Sequence, residues 1–228
     1  MPKPPSKPTH SAAELIPVRP TIDKVRVASK DCQACELWRR GTQTVFGEGT
    51  KNAQLMFVGE QPGNDEDLSG HPFVGPAGKL LDRALADAGI DRSAVYVTNV
   101  VKHFKWEPRG KKRIHKKPNA AEITACRPWL QAEIAACRPW LDTEIALVKP
   151  RAIVCLGATA AQALLGRTFR VSQQRGRFVP SPLAPRVTAT VHPSSILRAP
   201  DDESRRAEMR RFVADLTRVA RELARKES

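Results

Sequence analysis

The chain has 228 residues, 41% hydrophobic and 27% charged, the balance of one soluble globular domain able to bury a core without staples. Lys and Arg outnumber Asp and Glu by 38 to 24, a formal charge of +14, which points to a polyanionic partner because basic side chains release counterions from a phosphate backbone. No long apolar run or strongly amphipathic anchor speaks for a membrane. Five cysteines (Cys32, Cys35, Cys126, Cys137 and Cys155) with no apolar signal region argue against a secreted disulfide framework and for a reduced, cytosolic setting with a metal or cluster site.

Residues 1–20 open on PKPPSKPTH and predict a basic, proline-rich disordered tail, leaving 21–228 as a single domain. Ala12–Trp38 has the spacing of a first helical segment, with Cys32-x-x-Cys35 near its end. QLMFVG (Gln54–Gly59) is a short apolar run closing on Gly, a buried strand. Gln61–Gly78 is rich in Gly, Pro and Asp and predicts a loop; Gly78–Ala88 carries a helical apolar stripe. Ala94–Val101 is a second strand, and Lys102–Lys117 a basic loop. A long helix follows from an N-cap at Asn119 to Val148. Arg151–Gly157 is a third strand, Ala158–Leu165 a helix, Arg186–Val191 a fourth strand and Glu203–Lys226 a charged terminal helix. This alternation predicts an α/β domain, a central parallel four-stranded sheet flanked by helices, with its site at the carboxyl ends of the strands.

AEITACRPWL (Ala121–Leu130) recurs as AEIAACRPWL (Ala132–Leu141), eleven residues later. Eleven residues are close to three helical turns, so the duplication either lengthens the helix by roughly 16 Å with its face kept in phase or bulges out as a loop.

Several residues carry chemistry at strand ends. In Gly59-Glu60-Gln61-Pro62-Gly63, Gly59 permits close backbone approach to a ligand and Glu60 can orient a nucleophile; a turn with a solvated Glu reads equally well. In His192-Pro193-Ser194-Ser195, His192 can donate to developing negative charge, and the serine hydroxyls and N–H groups can hold a phosphate, or the segment is only a capping loop. Lys111-Lys112-Arg113-Ile114-His115-Lys116-Lys117 is a dense basic run that reads as a solvated loop or a phosphate-contacting patch, or as a setting in which neighbouring cations favour a neutral, nucleophilic His115. Cys32-x-x-Cys35 has metal-ligand spacing, or is a pair of structural thiols. Cys155, inside an apolar strand, reads as a buried small hydrophobe.

The four segments GEQPGNDEDLSGHPFVGPAGKLLD, YVTNVVKHFK, KKRIH and HPSSILR, in this order, resemble the uracil-DNA glycosylase superfamily in its iron–sulfur branch, and most closely its UdgX type, whose members crosslink to their product and carry KRRIH where this chain has KKRIH. The resemblance covers roughly residues 30–220. It implies a flipped-out uracil stacked on Phe73, read at its edge by Asn99, with Gln61 shaping the pocket and His192 stabilising the departing base. It also implies DNA held by Lys112, Arg113, Ser194, Ser195 and Arg198, with Leu197 as a wedge. His115, oriented by Glu60, would take the place of water and bond to C1′, spending the enzyme after one turnover. A [4Fe–4S] cluster would be held by Cys32, Cys35, His103 and either Cys137 or Cys126. Cys137 is preferred because its helix must dock on the sheet through a short connection, whereas the preceding loop absorbs extra residues more easily.

The expected protein is therefore a uracil-DNA glycosylase acting on single- and double-stranded uracil-containing DNA, a cytoplasmic monomer that is nucleoid-associated when bound. The alternatives are a multiple-turnover glycosylase of the same fold and a non-catalytic protein that binds uracil or abasic DNA.

Overall fold

The computed structural model describes the backbone of residues 11–109, 112–114 and 120–225, and the side chains of these outside 107–132. A 3-10 turn at Ala12–Leu15 is followed by α1 (Ile22–Ser29), capped by Thr21, and a second 3-10 turn at Glu36–Arg39. The expected single helix over Ala12–Trp38 is thus broken, with Pro17 and Pro20 lying between the first two pieces. Ala12, in the stretch assigned to a tail, is fully buried in the core, so folded structure begins before residue 21.

The two-residue β1 (Glu48–Gly49) precedes β2 (Leu55–Gly59), α2 (Asn64–Ser69), α3 (Pro76–Asp87) and β3 (Val95–Asn99). The basic loop contains a hairpin, β4 (Glu107–Arg109) with β5 (Lys112–Ile114), paired Glu107 to Ile114. Then come α4 (Ala120–Val148), β6 (Ala152–Leu156), α5 (Ala158–Leu165), α6 (Val171–Gln174), β7 (Arg186–Thr190), α7 (Pro193–Leu197) and α8 (Asp202–Ala224). The two repeats lie within one uninterrupted 29-residue helix, so neither loops out.

The sheet order is β1-β3-β2-β6-β7. The four expected strands are parallel, and β1 adds a short antiparallel edge on β3, too brief to show a period. Both faces are covered: every residue of β2, β3 and β6 is buried, and β2 and β6 read as unbroken apolar runs. Met56, Val58, Tyr96, Ile153 and Cys155 face one layer with Trp140 and Leu141 of α4. Leu55, Phe57, Val97 and Val154 face the other with Leu81 and Leu85 of α3 and Phe212 and Leu216 of α8.

Candidate active site

The parallel strands run β3-β2-β6-β7, so the winding reverses between β2 and β6, and the crevice at the carboxyl ends there is where such sheets place ligands. Gly59, Asn99 and His192 all sit at or just past those ends. Gly59 pairs in register with Asn99, and the ladder continues past the strands through Val100 N–H to Gly59 O and Val101 N–H to Glu60 O, at 2.9 and 3.0 Å. A Cβ on Gly59 would lie 2.4 Å from Asn99 Oδ1 and 2.8 Å from Phe73 Cζ, so only glycine leaves room for both. Asn99 and Phe73 are buried, while Glu60 and Gln61 are half-buried at the start of the following loop.

Phe73 adopts φ +59°, a left-handed conformation costly for an aromatic residue. Two features hold it. A Cβ on Gly78 would meet Phe73 O at 1.7 Å, so α3 begins tight against this turn. Glu66, buried on α2, accepts from Gly63 N–H at 3.0 Å with one oxygen and from Gly75 N–H at 2.8 Å with the other, clipping the loop after β2 to the loop carrying Phe73.

The His192 ring lies 6.4 Å from that of Phe73, tilted by 32°. Its Nδ1 accepts from Ser194 N–H at 3.2 Å and lies 2.8 Å from Ser194 Oγ. An accepting Nδ1 puts the ring proton on Nε2, the tautomer that can donate to a departing anion. Ser195 Oγ–H and N–H both donate to His192 O, at 2.7 and 2.8 Å. Both serines, expected at phosphates, hydrogen-bond to His192 in this structure. At the end of α7, Leu197 and Arg198 are exposed. Beneath the site, Thr190 Oγ1–H donates to Asp215 Oδ2 at 2.6 Å, tying the end of β7 to α8.

On the α4 side of the sheet, Cys32, Cys35, Cys137 and His103 are all buried. The Cys35 thiol is pulled down to about 5, first by a hydrogen bond from Cys137 and further by His103 and the Leu37 N–H. Cys137 is pushed up by that same bond and by burial. Trp140 Nε1–H donates to Cys32 Sγ at 3.3 Å. His103 Nδ1 is buried with no hydrogen-bond partner among the described residues. Three soft sulfurs and an imidazole nitrogen are thus gathered, although no group of His, Cys, Asp or Glu among the described residues is arranged around a single metal ion. Cys126 lies eleven residues earlier on the same helix, about 16 Å along its axis at the usual rise. Cys155 stands apart, buried in β6, its thiol pushed up to about 12 by burial.

His115 lies outside the described residues, and Lys112 and Arg113 belong to β5, whose side chains are also outside them. Sequence reasoning missed Glu66, Lys102, Glu144 and Trp140. Glu66 had a signal, an acid three residues after the Gly63 cap. Lys102 and Glu144 meet across 42 residues, which no local pattern reveals.

A model of the uracil DNA glycosylase superfamily matches residues 46–217, and the chain belongs to that superfamily. Among its relatives is the Type-4 uracil-DNA glycosylase of Thermotoga maritima, 36% identical over 199 residues that cover 87% of this chain and 92% of the relative. The Type-4 uracil-DNA glycosylase of Sulfurisphaera tokodaii is 32% identical over 212 residues, covering 90% and 85%. That of Pyrobaculum aerophilum is 33% identical over 186 residues, covering 78% and 86%.

Proposed function

We propose that the protein releases uracil from DNA and then bonds to the abasic sugar through His115. The observation that carries base release is the crevice formed by Gly59, Phe73, Asn99 and His192 at the switch point, inside a superfamily whose curated relatives bear the name uracil-DNA glycosylase. Uracil enters as a flipped base, stacks on Phe73 and meets the Asn99 amide, which rejects cytosine because its amine presents a donor where uracil offers an acceptor. The C1′–N1 bond breaks with its electron pair going to uracil, and His192 Nε2–H donates to that developing charge.

The sugar is left cationic at C1′. A lone pair on the His115 ring forms the new bond, and the imidazolium that results is offset by the Glu60 carboxylate. This step rests on KKRIH and on β5 ending at Ile114, the residue before His115. Basic residues Lys112, Arg113 and Arg198 take the phosphates and exposed Leu197 fills the gap left by the flipped nucleotide.

Cys32, Cys35, Cys137 and His103 would hold a [4Fe–4S] cluster, and three buried thiols and a buried His103 Nδ1 without a hydrogen-bond partner among the described residues fit it. Bound there, the cluster supplies a crosslink between the turn after α1, the segment after β3 and α4, rather than reacting with the base.

The test is incubation with a uracil-containing oligonucleotide followed by a denaturing gel. A denaturant-resistant shifted band that His115→Ala abolishes supports the adduct. Free, alkali-labile DNA supports ordinary multiple turnover. Unchanged DNA means a binding protein without chemistry.

A further inference from the structure

We infer that the buried Lys102–Glu144 pair is a positioning device that sets the base-reading Asn99; the inference rests on the functional reading of the crevice given above. Both side chains are 0% exposed and Lys102 Nζ lies 2.7 Å from Glu144 Oε2. The ammonium uses its three donors in full: on Glu144, on Thr98 Oγ1 at 2.7 Å and on the backbone carbonyl of Asn99 at 2.8 Å. Glu144 is equally engaged, accepting from Gly47 N–H at 2.9 Å, Tyr96 O–H at 3.1 Å and Thr98 Oγ1–H at 2.9 Å. The Tyr96 phenol is pushed far above its ordinary value by burial and by this carboxylate.

Nothing in this arrangement is incidental space-filling. Gly47 has no Cβ because one would sit 2.3 Å from Glu144 Oε1, and the ring of Phe46 lies under the Lys102 ammonium at 5.4 Å. The Lys102 backbone is committed too: its N–H bonds to Cys137 and its carbonyl accepts from Val45 N–H at 2.8 Å. One residue therefore touches the thiol group on one side and the peptide of Asn99 on the other.

Stability alone does not ask for such a pair, because desolvating two charges offsets most of their attraction and an apolar pair of similar volume does as well or better. What an apolar pair cannot do is hold the Asn99 carbonyl. Fixing that peptide plane fixes the direction of the Asn99 Cα–Cβ bond, and hence the amide that lies beside Gly59 and Phe73. Lys102 and Glu144 are positioning residues for base recognition.

The experiment replaces both, Lys102→Met with Glu144→Leu, which removes the charges together and leaves neither stranded. Thermal unfolding and iron content report folding. Single-turnover release of uracil from a single-stranded oligonucleotide reports function, and affinity for an oligonucleotide with a tetrahydrofuran abasic site reports DNA binding without a base. We expect a folded, iron-containing protein that binds the tetrahydrofuran DNA within about twofold of wild type but releases uracil about 10- to 100-fold more slowly. Glu144→Gln, which keeps an oxygen for Gly47 and Tyr96, carries the test should the double variant not fold, and is expected to slow release by at least about threefold. A folded variant releasing uracil at the wild-type rate overturns the positioning role, as does a loss shared equally by release and tetrahydrofuran-DNA binding. A wild-type protein that releases no uracil instead overturns the functional reading, and the inference with it.

Discussion

The indole N–H of Trp140 donates to the sulfur of Cys32 at 3.3 Å, joining α4 to the Cys-x-x-Cys turn across 108 residues of sequence. Trp140 lies three residues after Cys137, so one turn of helix supplies both a thiol and a donor to a second thiol. Hydrogen bonds to cluster sulfurs favour the reduced, more electron-rich state. Trp140→Phe is expected to keep its iron, to lose about 1–3 kcal/mol of stability and to show a more negative reduction potential. Voltammetry of the purified variant checks this, and an unchanged potential would refute it.

Cys137 and Cys126 are equivalent by local sequence and separated by geometry. Cys137 is fully buried and hydrogen-bonded to Cys35, whereas the helix sets Cys126 about 16 Å away along its axis. Cys137→Ala should strip the protein of iron and lower its melting temperature. Cys126→Ala should leave iron content and visible absorbance as in wild type. Iron assays on the two variants, with the opposite ranking as the contrary result, decide it.

Glu66 holds the Gly63 and Gly75 N–H groups from within the fold, so Glu66→Ala leaves two donors unsatisfied at about 1–3 kcal/mol each. The Phe73 turn, strained in the left-handed region, loses a clamp. The expected result is a lower melting temperature together with slower uracil release, with Glu66→Gln milder in both because its amide still offers one acceptor. Release at the wild-type rate in Glu66→Ala would show that the clip does not govern the pocket.

Glu208 is held below its ordinary value of 4.5, first by its hydrogen bond with Arg175 and then by Arg211. A carboxyl lower in the folded than in the unfolded chain contributes stability above its ordinary value and loses it as pH falls through the folded one. The melting-temperature gap between wild type and Glu208→Gln should therefore be open at neutral pH and close as pH drops below 4.5. A gap that widens with acid would contradict the sign.

Much of the fold was legible because buried parallel strands are short apolar runs and amphipathic helices carry a stripe. Leu55–Gly59, Ala152–Leu156 and Ala158–Leu165 lie within or on their expected spans. The misses share a cause. β1, α2 and α6 have two, six and four residues, shorter than any window in which a period can be seen. In the candidate site, Gly59, Asn99 and His192 stood out in the sequence because each lies at or just past the end of a strand. Glu144 was not, since an acid in the last turns of a long helix reads as solvated until the fold buries it. The hydrogen bonds of Ser194 and Ser195 to His192 were not legible, because a helix start is generic and these bonds depend on the ring's placement.

Helix α4 makes the repeat of eleven residues a natural ruler. Eleven steps of about 100° overshoot three full turns by about 20°, so adding or removing one copy translates whatever lies upstream while barely rotating it. The half of the helix that docks on the sheet is indifferent to the change, since Cys137, Trp140, Leu141 and Glu144 all lie at or beyond the second copy's cysteine. Such a helix is an extensible arm on a stationary base: the base sets the chemistry of the core, and the number of repeats sets how far out the preceding basic hairpin must hand over to it.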